Sequence, residues 1–279
     1  MNLSGKNIAV IGGTDGLGRA IAKHAASLGA NVTVVGRTFR DQGAENIKFV
    51  KCDLSLMHEA KKLGSDLLST QNTVYLFTTG IVAAPERQVT PEGLERDMAV
   101  SFLSRLVTLN HLIPRLDPPT ARRVFIMGYP GAGQGGELGD LNAERGYKSR
   151  AVHMNTVAGN EALVLHGAAA WWPRGVAVFG LNPGLIRTRI RENYLGTGLL
   201  SAAVESLIGA LSVSPDAYAA TIVPLLFAPG LEAHSGAHFN QAADAIHRTP
   251  ALDPPRVAAL LAESDALVAR ALAAPASPP

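Results

Sequence analysis

Short apolar runs alternate with longer stretches of helical periodicity along most of this chain. Asn7–Gly12, Asn31–Arg37, Ile47–Cys52 and Thr73–Thr78 are strand-like runs, three of them rich in valine or isoleucine. A glycine-rich turn follows the first run and leads into a helical segment from about Leu17 to Leu28. Pro91–Leu116 has helical spacing and opens on Thr90-Pro91-Glu92-Gly93, a helix-start signal. Arg123–Met127 reads as a fifth strand, Ser149–Trp172 as a long helix, Val176–Leu181 as a sixth strand and Ala237–Asn240 as a short seventh. Strands separated by helices require crossover connections, which are right-handed and build a parallel sheet. The pattern therefore predicts one doubly wound α/β domain over residues 1–272, with a mostly parallel seven-stranded sheet and a flexible tail at 273–279. Residues 187–214 form an insert after the sixth strand, with a helical middle and Gly196 and Gly198 as hinges. An insert at the carboxyl end of such a strand lies beside the ligand crevice, so it is a candidate substrate lid.

Composition narrows the possibilities. The chain has 279 residues, 47% of them hydrophobic and 17% charged, as expected of a compact folded protein. A net charge of +2, with no basic cluster interleaved with aromatics, argues against nucleic acid as a partner. The single cysteine, Cys52, excludes an internal disulfide and a cysteine-rich metal site, and no metal is expected. No apolar leader precedes the first strand and no apolar run is long enough for a bilayer, so the expected location is cytoplasmic, without a membrane partner.

The candidate chemistry starts at Gly12-Gly13-Thr14-Asp15-Gly16-Leu17-Gly18. Glycines let a backbone turn tightly and approach a pyrophosphate, and the helix that follows offers unpaired N–H groups and partial positive charge. The spacing is Gly-x3-Gly-x-Gly, not the Gly-x-Gly-x-x-Gly of the common dinucleotide fingerprint. The second strand ends Val35-Gly36-Arg37-Thr38, without the carboxylate that NAD binders use to hold the adenosine ribose. Arg37, with Arg40 nearby, suits a 2′-phosphate instead, which points to NADP(H). Asp15 is better placed to cap the following helix than to do chemistry.

The glycine turn, Cys52-Asp53-Leu54 after the third strand and Asn182-Pro183-Gly184 after the sixth together resemble the short-chain dehydrogenase/reductase family, from about Lys6 to Asn240. Asp140-Leu141-Asn142 through Tyr147 resembles its retinol-dehydrogenase-like branch. The resemblance implies a Rossmann fold and a nicotinamide cofactor held by Gly12, Thr14, Asp15, Gly16, Leu17, Gly18 and Arg37. It also implies adenine contacts from Asp53 and Leu54, further contacts from Thr79 and Gly80, and nicotinamide contacts from Pro183, Gly184, Ile186 and Thr188. It implies a homodimer or homotetramer paired through Pro91–Leu116 and Ser149–Trp172.

The family's catalytic residues are absent from the matching positions. Counted from the flanking motifs, the Tyr-x3-Lys pair falls at His153 and Val157, the serine at Gly128 or Tyr129, and the asparagine at Ser101. Tyr147 has Ala151 rather than lysine four residues on and cannot substitute. A phenol lies ~3 pKa units, or about 4 kcal/mol, from ionisation at neutral pH and needs the lysine's help. An imidazole titrates near ~6.5 and does not. His153 is thus a candidate acid/base, with Tyr129 and Ser101 as candidate partners; His153 can equally be an ordinary structural histidine, and Tyr129 can fill space a serine left. The leading expectation is an NADP-dependent oxidoreductase with a non-standard site, acting on a small carbonyl, alcohol or polyketide-like substrate. Two other functions fit the same residues: a non-redox isomerase, cyclase or dehydratase, and a catalytically silent NADP-binding sensor or partner protein.

Overall fold

The computed structural model describes residues 1–117, 121–184 and 213–273. In chain order β1 (Asn7–Ile11), α1 (Gly16–Ser27), β2 (Asn31–Gly36), β3 (Ile47–Lys51), α2 (Met57–Asp66) and β4 (Val74–Phe77) form the first half. Helix α3 runs through Arg96–Met98, a π-helical turn at Ala99–Leu103, and Ser104–Leu112. Then come β5 (Arg122–Met127), α4 (Ser149–Ala170), β6 (Val176–Leu181), α5 (Pro215–Leu226), β7 (His238–Phe239), β8 (Ala245–Ile246) and α6 (Pro254–Ala273).

The sheet order is β3-β2-β1-β4-β5-β6-β7-β8. Strands β1 to β7 pair in parallel and β8 pairs antiparallel with β7. The sheet therefore has eight strands rather than the expected seven; the extra one is a two-residue edge strand, too short to leave a pattern in the sequence. Strands β1, β4, β5 and β6 are buried almost throughout, because helices cover both faces of the sheet. One core cluster gathers residues of α2, α3, α4 and α6, the other residues of α1 and α5.

Helix α3 starts five residues later than the sequence pattern predicts. Gly93 adopts φ +79°, outside the helical region, and Thr90–Leu94 closes instead as a turn in which Thr90 N–H donates to the Leu94 carbonyl. The cap is Glu95, whose carboxylate accepts from Met98 N–H at 2.8 Å. The buried Glu92 caps another helix from a distance: its carboxylate accepts from the N–H groups of Met57 and His58 at the start of α2, which has no side-chain cap of its own.

Helices α2, α5 and α6 lie outside the elements the pattern marked out. Helix α6 packs on α4 and α2, and it pins the loop between β5 and α4. Arg256 donates to the Gly135 and Gly136 carbonyls, Glu263 accepts from Gly139 N–H at 2.7 Å and Leu141 N–H at 3.0 Å, and Arg270 pairs with Glu144 at 2.5 Å. The outward side of α4, expected as a pairing surface between subunits, is thus covered by a helix of the same chain.

Candidate active site

The chain leaves β1, builds β2 and β3 to one side, and returns to place β4 against β1. The carboxyl ends of β1 and β4 consequently diverge into a crevice, the switch point where such sheets bind ligands. The glycine turn fills one wall. Gly12 sits at φ +94°, and a Cβ there would fall 2.6 Å from the Thr79 amide nitrogen. A Cβ on Gly36, at the end of β2, would fall 2.5 Å from Thr14 Oγ1. The turn, the end of β2 and the end of β4 thus close on one another without room for side chains. Thr79 Oγ1 is buried beside Gly12 and has no hydrogen-bond partner among the described residues.

Asp15 caps α1, accepting from Gly16 N–H at 2.9 Å, and pairs with Arg40 at 3.2 Å. The segment after β2 is bolted down twice more. Arg19 grips Asp41 through Nε and Nη2 at 2.8 and 2.5 Å, holding that carboxyl below its usual range, and Phe39 stacks on Phe49 at 5.1 Å. Arg37 projects from this braced segment into solvent. A glycine cradle, an unpaired threonine hydroxyl and an exposed arginine fit a phosphorylated dinucleotide. Asp53 spends its carboxylate on Ser55 N–H and Oγ, while Leu54 is buried next to it. Gly184, at φ +64°, donates its N–H to Asn182 Oδ1, and Asn182 Nδ2 donates to the Pro130 carbonyl, tying the exits of β6 and β5 together. Ile186, Thr188 and most of the candidate lid lie outside the described residues.

The acid–base candidates sit on α3 and α4. His153, near the start of α4, lines a pocket of about 250 Å³ with Val82, Ala83, Ser149 and Arg150. Its Nδ1 lies 2.8 Å from Oδ2 of Asp97, a carboxylate with no solvent exposure. The other oxygen, Oδ1, accepts from Ser101 Oγ at 2.5 Å, and Ser101 Oγ accepts from Ile81 N–H at 3.0 Å. The expected residues Ser101 and His153 are therefore brought together, through a third residue that the sequence analysis missed. The signal was present: Asp97 is a carboxylate one helical turn before Ser101, next to Met98-Ala99-Val100, and a charge in such a stretch needs a partner. Tyr129 stands at the exit of β5, 47% exposed, and Val157 is buried.

Asp97, Ser101 and Arg105 follow one another at four-residue intervals on α3. Arg105 is wholly buried. Its Nη1 donates to the Met127 carbonyl and to Asn160 Oδ1, and its Nη2 to the Thr79 carbonyl, so one guanidinium clamps the exits of β4 and β5 to α4. Burial pulls its pKa down to about 9, against the pull of Asp97, which leaves it charged at neutral pH. Glu161, also on α4, accepts from Gly131 N–H and from Thr249 N–H and Oγ1, fixing the loop after β5 to the segment after β8.

A glycine cradle at the switch point of a doubly wound, mostly parallel sheet defines a fold of the Rossmann type. Comparison with known proteins agrees. The sequence model of a family described as enoyl-(acyl carrier protein) reductase matches residues 12–229. An uncharacterized oxidoreductase of Saccharomyces cerevisiae is 45% identical over 276 residues, covering 95% of this chain and 89% of that protein. Retinol dehydrogenase 14 of Mus musculus is 23% identical, over 85% of this chain and 78% of that one. A solved structure of an uncharacterized protein from Mycobacterium paratuberculosis superposes with a TM-score of 0.68 at 19% identity, over 96% of this chain and 95% of that one. The chain belongs to the short-chain dehydrogenase/reductase family and is an oxidoreductase of that type. Among the described residues, no helix is long and apolar enough to cross a membrane.

Proposed function

We propose that this protein is an NADP(H)-dependent oxidoreductase in which His153, not a tyrosine–lysine pair, handles the proton. The observation that carries the reading is the His153 imidazole lining the pocket, with its Nδ1 held by a buried carboxylate. The glycine turn and the α1 amino terminus would hold the pyrophosphate, and Arg37 the 2′-phosphate. When bound, the nicotinamide supplies or accepts a hydride. The chain's own part is the proton: in carbonyl reduction, imidazolium Nε2–H donates to the developing alkoxide, and in alcohol oxidation the neutral ring takes it back. Tyr129 is the candidate for binding the substrate oxygen from the β5 side. The pocket is small and partly apolar, with Val82 and Ala83 on its wall, which suits a small carbonyl, alcohol or polyketide-like substrate.

Calorimetry with NADPH and NADH, followed by cofactor oxidation against a carbonyl panel, tests this. NADPH should bind at least ~10-fold tighter, since losing one charge-assisted contact costs about 1.5–3 kcal/mol, and Arg37→Ala should abolish the preference. His153→Ala should lower turnover by ~10²-fold or more while leaving cofactor affinity intact. Equal affinity for both cofactors would remove NADP dependence, and full activity of His153→Ala would remove His153 from the chemistry.

A further inference from the structure

We infer that Asp97 is a positioning residue that fixes the tautomer and orientation of His153, so that Nε2 faces the pocket as the proton-exchanging atom. The inference rests on the reading of His153 as the proton carrier. The geometry is specific. Asp97 has no solvent exposure, and each of its oxygens meets one partner: Ser101 Oγ at 2.5 Å on Oδ1, His153 Nδ1 at 2.8 Å on Oδ2. Ser101 Oγ accepts from Ile81 N–H at 3.0 Å through one lone pair and donates its single hydrogen to Asp97 Oδ1. A carboxylate receiving an O–H on one side and facing a ring nitrogen on the other can only accept. His153 must then carry hydrogen on Nδ1 in both its neutral and its charged form. Nε2, on the far edge of the ring, makes no hydrogen bond among the described residues. It is a bare acceptor when the ring is neutral and a donor when it is charged, as reversible proton exchange requires.

The surroundings hold this state in place. Asp97 is buried, and the buried guanidinium of Arg105, two turns further along the same helix, interacts with it electrostatically. The π-helical turn at Ala99–Leu103 lies between the two and carries Ser101. Such turns insert one residue into a helix and re-aim its side chains, and they occur often at functional sites. The hydroxyl of Ser101, which stands at the position of the family's asparagine, donates to Asp97.

The test is ¹⁵N NMR of histidine-labelled protein, together with kinetics of Asp97→Asn. In the wild-type protein, at a pH where the ring is neutral, the His153 nitrogens should report Nδ1–H and an unprotonated Nε2. That measurement needs no variant and stands even if a substitution fails to fold. The asparagine variant keeps the shape but can offer an N–H to Nδ1, so its ring should switch to the Nε2–H tautomer. Its kcat should fall by about 10²–10⁴-fold, the scale for an acid/base held in the wrong tautomer, with the KM for the cofactor unchanged. Ser101→Ala leaves Asp97 able to accept and should retain the Nδ1–H form. An Nε2–H tautomer in the wild type, or an asparagine variant with unchanged tautomer and turnover, would overturn the assignment. The two readings fail separately: full activity of His153→Ala would end the acid/base role, whereas the NMR alone decides what Asp97 does to the ring.

Discussion

A buried arginine without a carboxylate in contact is costly, and Arg105 is retained where the exits of β4 and β5 meet α4. Its cost is offset by three oxygens that accept from it, the carbonyls of Thr79 and Met127 and Oδ1 of Asn160. Arg105→Met should therefore destabilise the fold by about 3 kcal/mol or more, since each acceptor left buried and unmet costs about 1–3 kcal/mol. Urea unfolding followed by tryptophan fluorescence would measure it; a change under about 1 kcal/mol would mean that water replaces the guanidinium. The residue scale is also where reading from sequence fell short. The places of the glycine turn and of His153 in the fold were legible because each has a fixed offset from a strand or motif. Asp97 and Arg105 were not, because their meaning lies in partners such as His153 and Thr79, far away along the chain.

At the scale of elements, the interior strands were readable because burial on both faces leaves unbroken apolar runs, while β8 is two residues long and leaves no period. The start of α3 was misplaced because a helix-like signal at Thr90–Glu92 precedes a glycine with positive φ. Helix α6 bears on the site indirectly, since it holds the loop from Gly135 to Glu144 that delivers the chain into α4. Leu260 anchors it: the side chain sits where a Cβ on Gly136 would fall 2.8 Å away, beside Ala158 of α4. Leu260→Ala should cost about 2–5 kcal/mol in chemical denaturation, the range for a fully buried leucine. A cost below about 1 kcal/mol would mean that α6 is only loosely docked. Because α6 already covers α4, the wild-type protein should sediment as a monomer at micromolar concentration. A stable dimer protected by α4 would contradict this packing.

The whole molecule should lose stability on acidification in two stages. His238, on β7, is buried against Gly180, and among the described residues neither ring nitrogen has a hydrogen-bond partner. Glu161 lies 3.7 Å from its Nε2, too far for a hydrogen bond, so burial outweighs that carboxylate and pushes the imidazole pKa down. A histidine depressed in the folded state binds its proton more readily when unfolded. Its contribution is intact above the unfolded value near ~6.5 and is eroded as pH falls below it. Asp41 and Glu144, lowered by their bonds to Arg19 and Arg270, act later: their stabilisation holds above the unfolded carboxylate values near ~4 and is lost as pH drops through the folded ones. The urea midpoint should thus begin to decline as pH falls below about 6.5, then more steeply below ~4. His238→Gln should flatten the first decline whatever it does to the absolute midpoint; an unchanged slope would assign that stage to another group.

Helix α6 is also translated after everything it covers. Strands β1 to β6 and helix α4 leave the ribosome first, and the face of α4 that α6 will shield must wait through the synthesis of Gly175 to Asp253. At ~5–20 residues per second that wait lasts several seconds, far longer than collapse takes. During that time the nascent chain carries a nearly complete sheet with one oily flank open. It is a ready client for holding chaperones, and its last long helix closes the molecule only as it clears the exit tunnel.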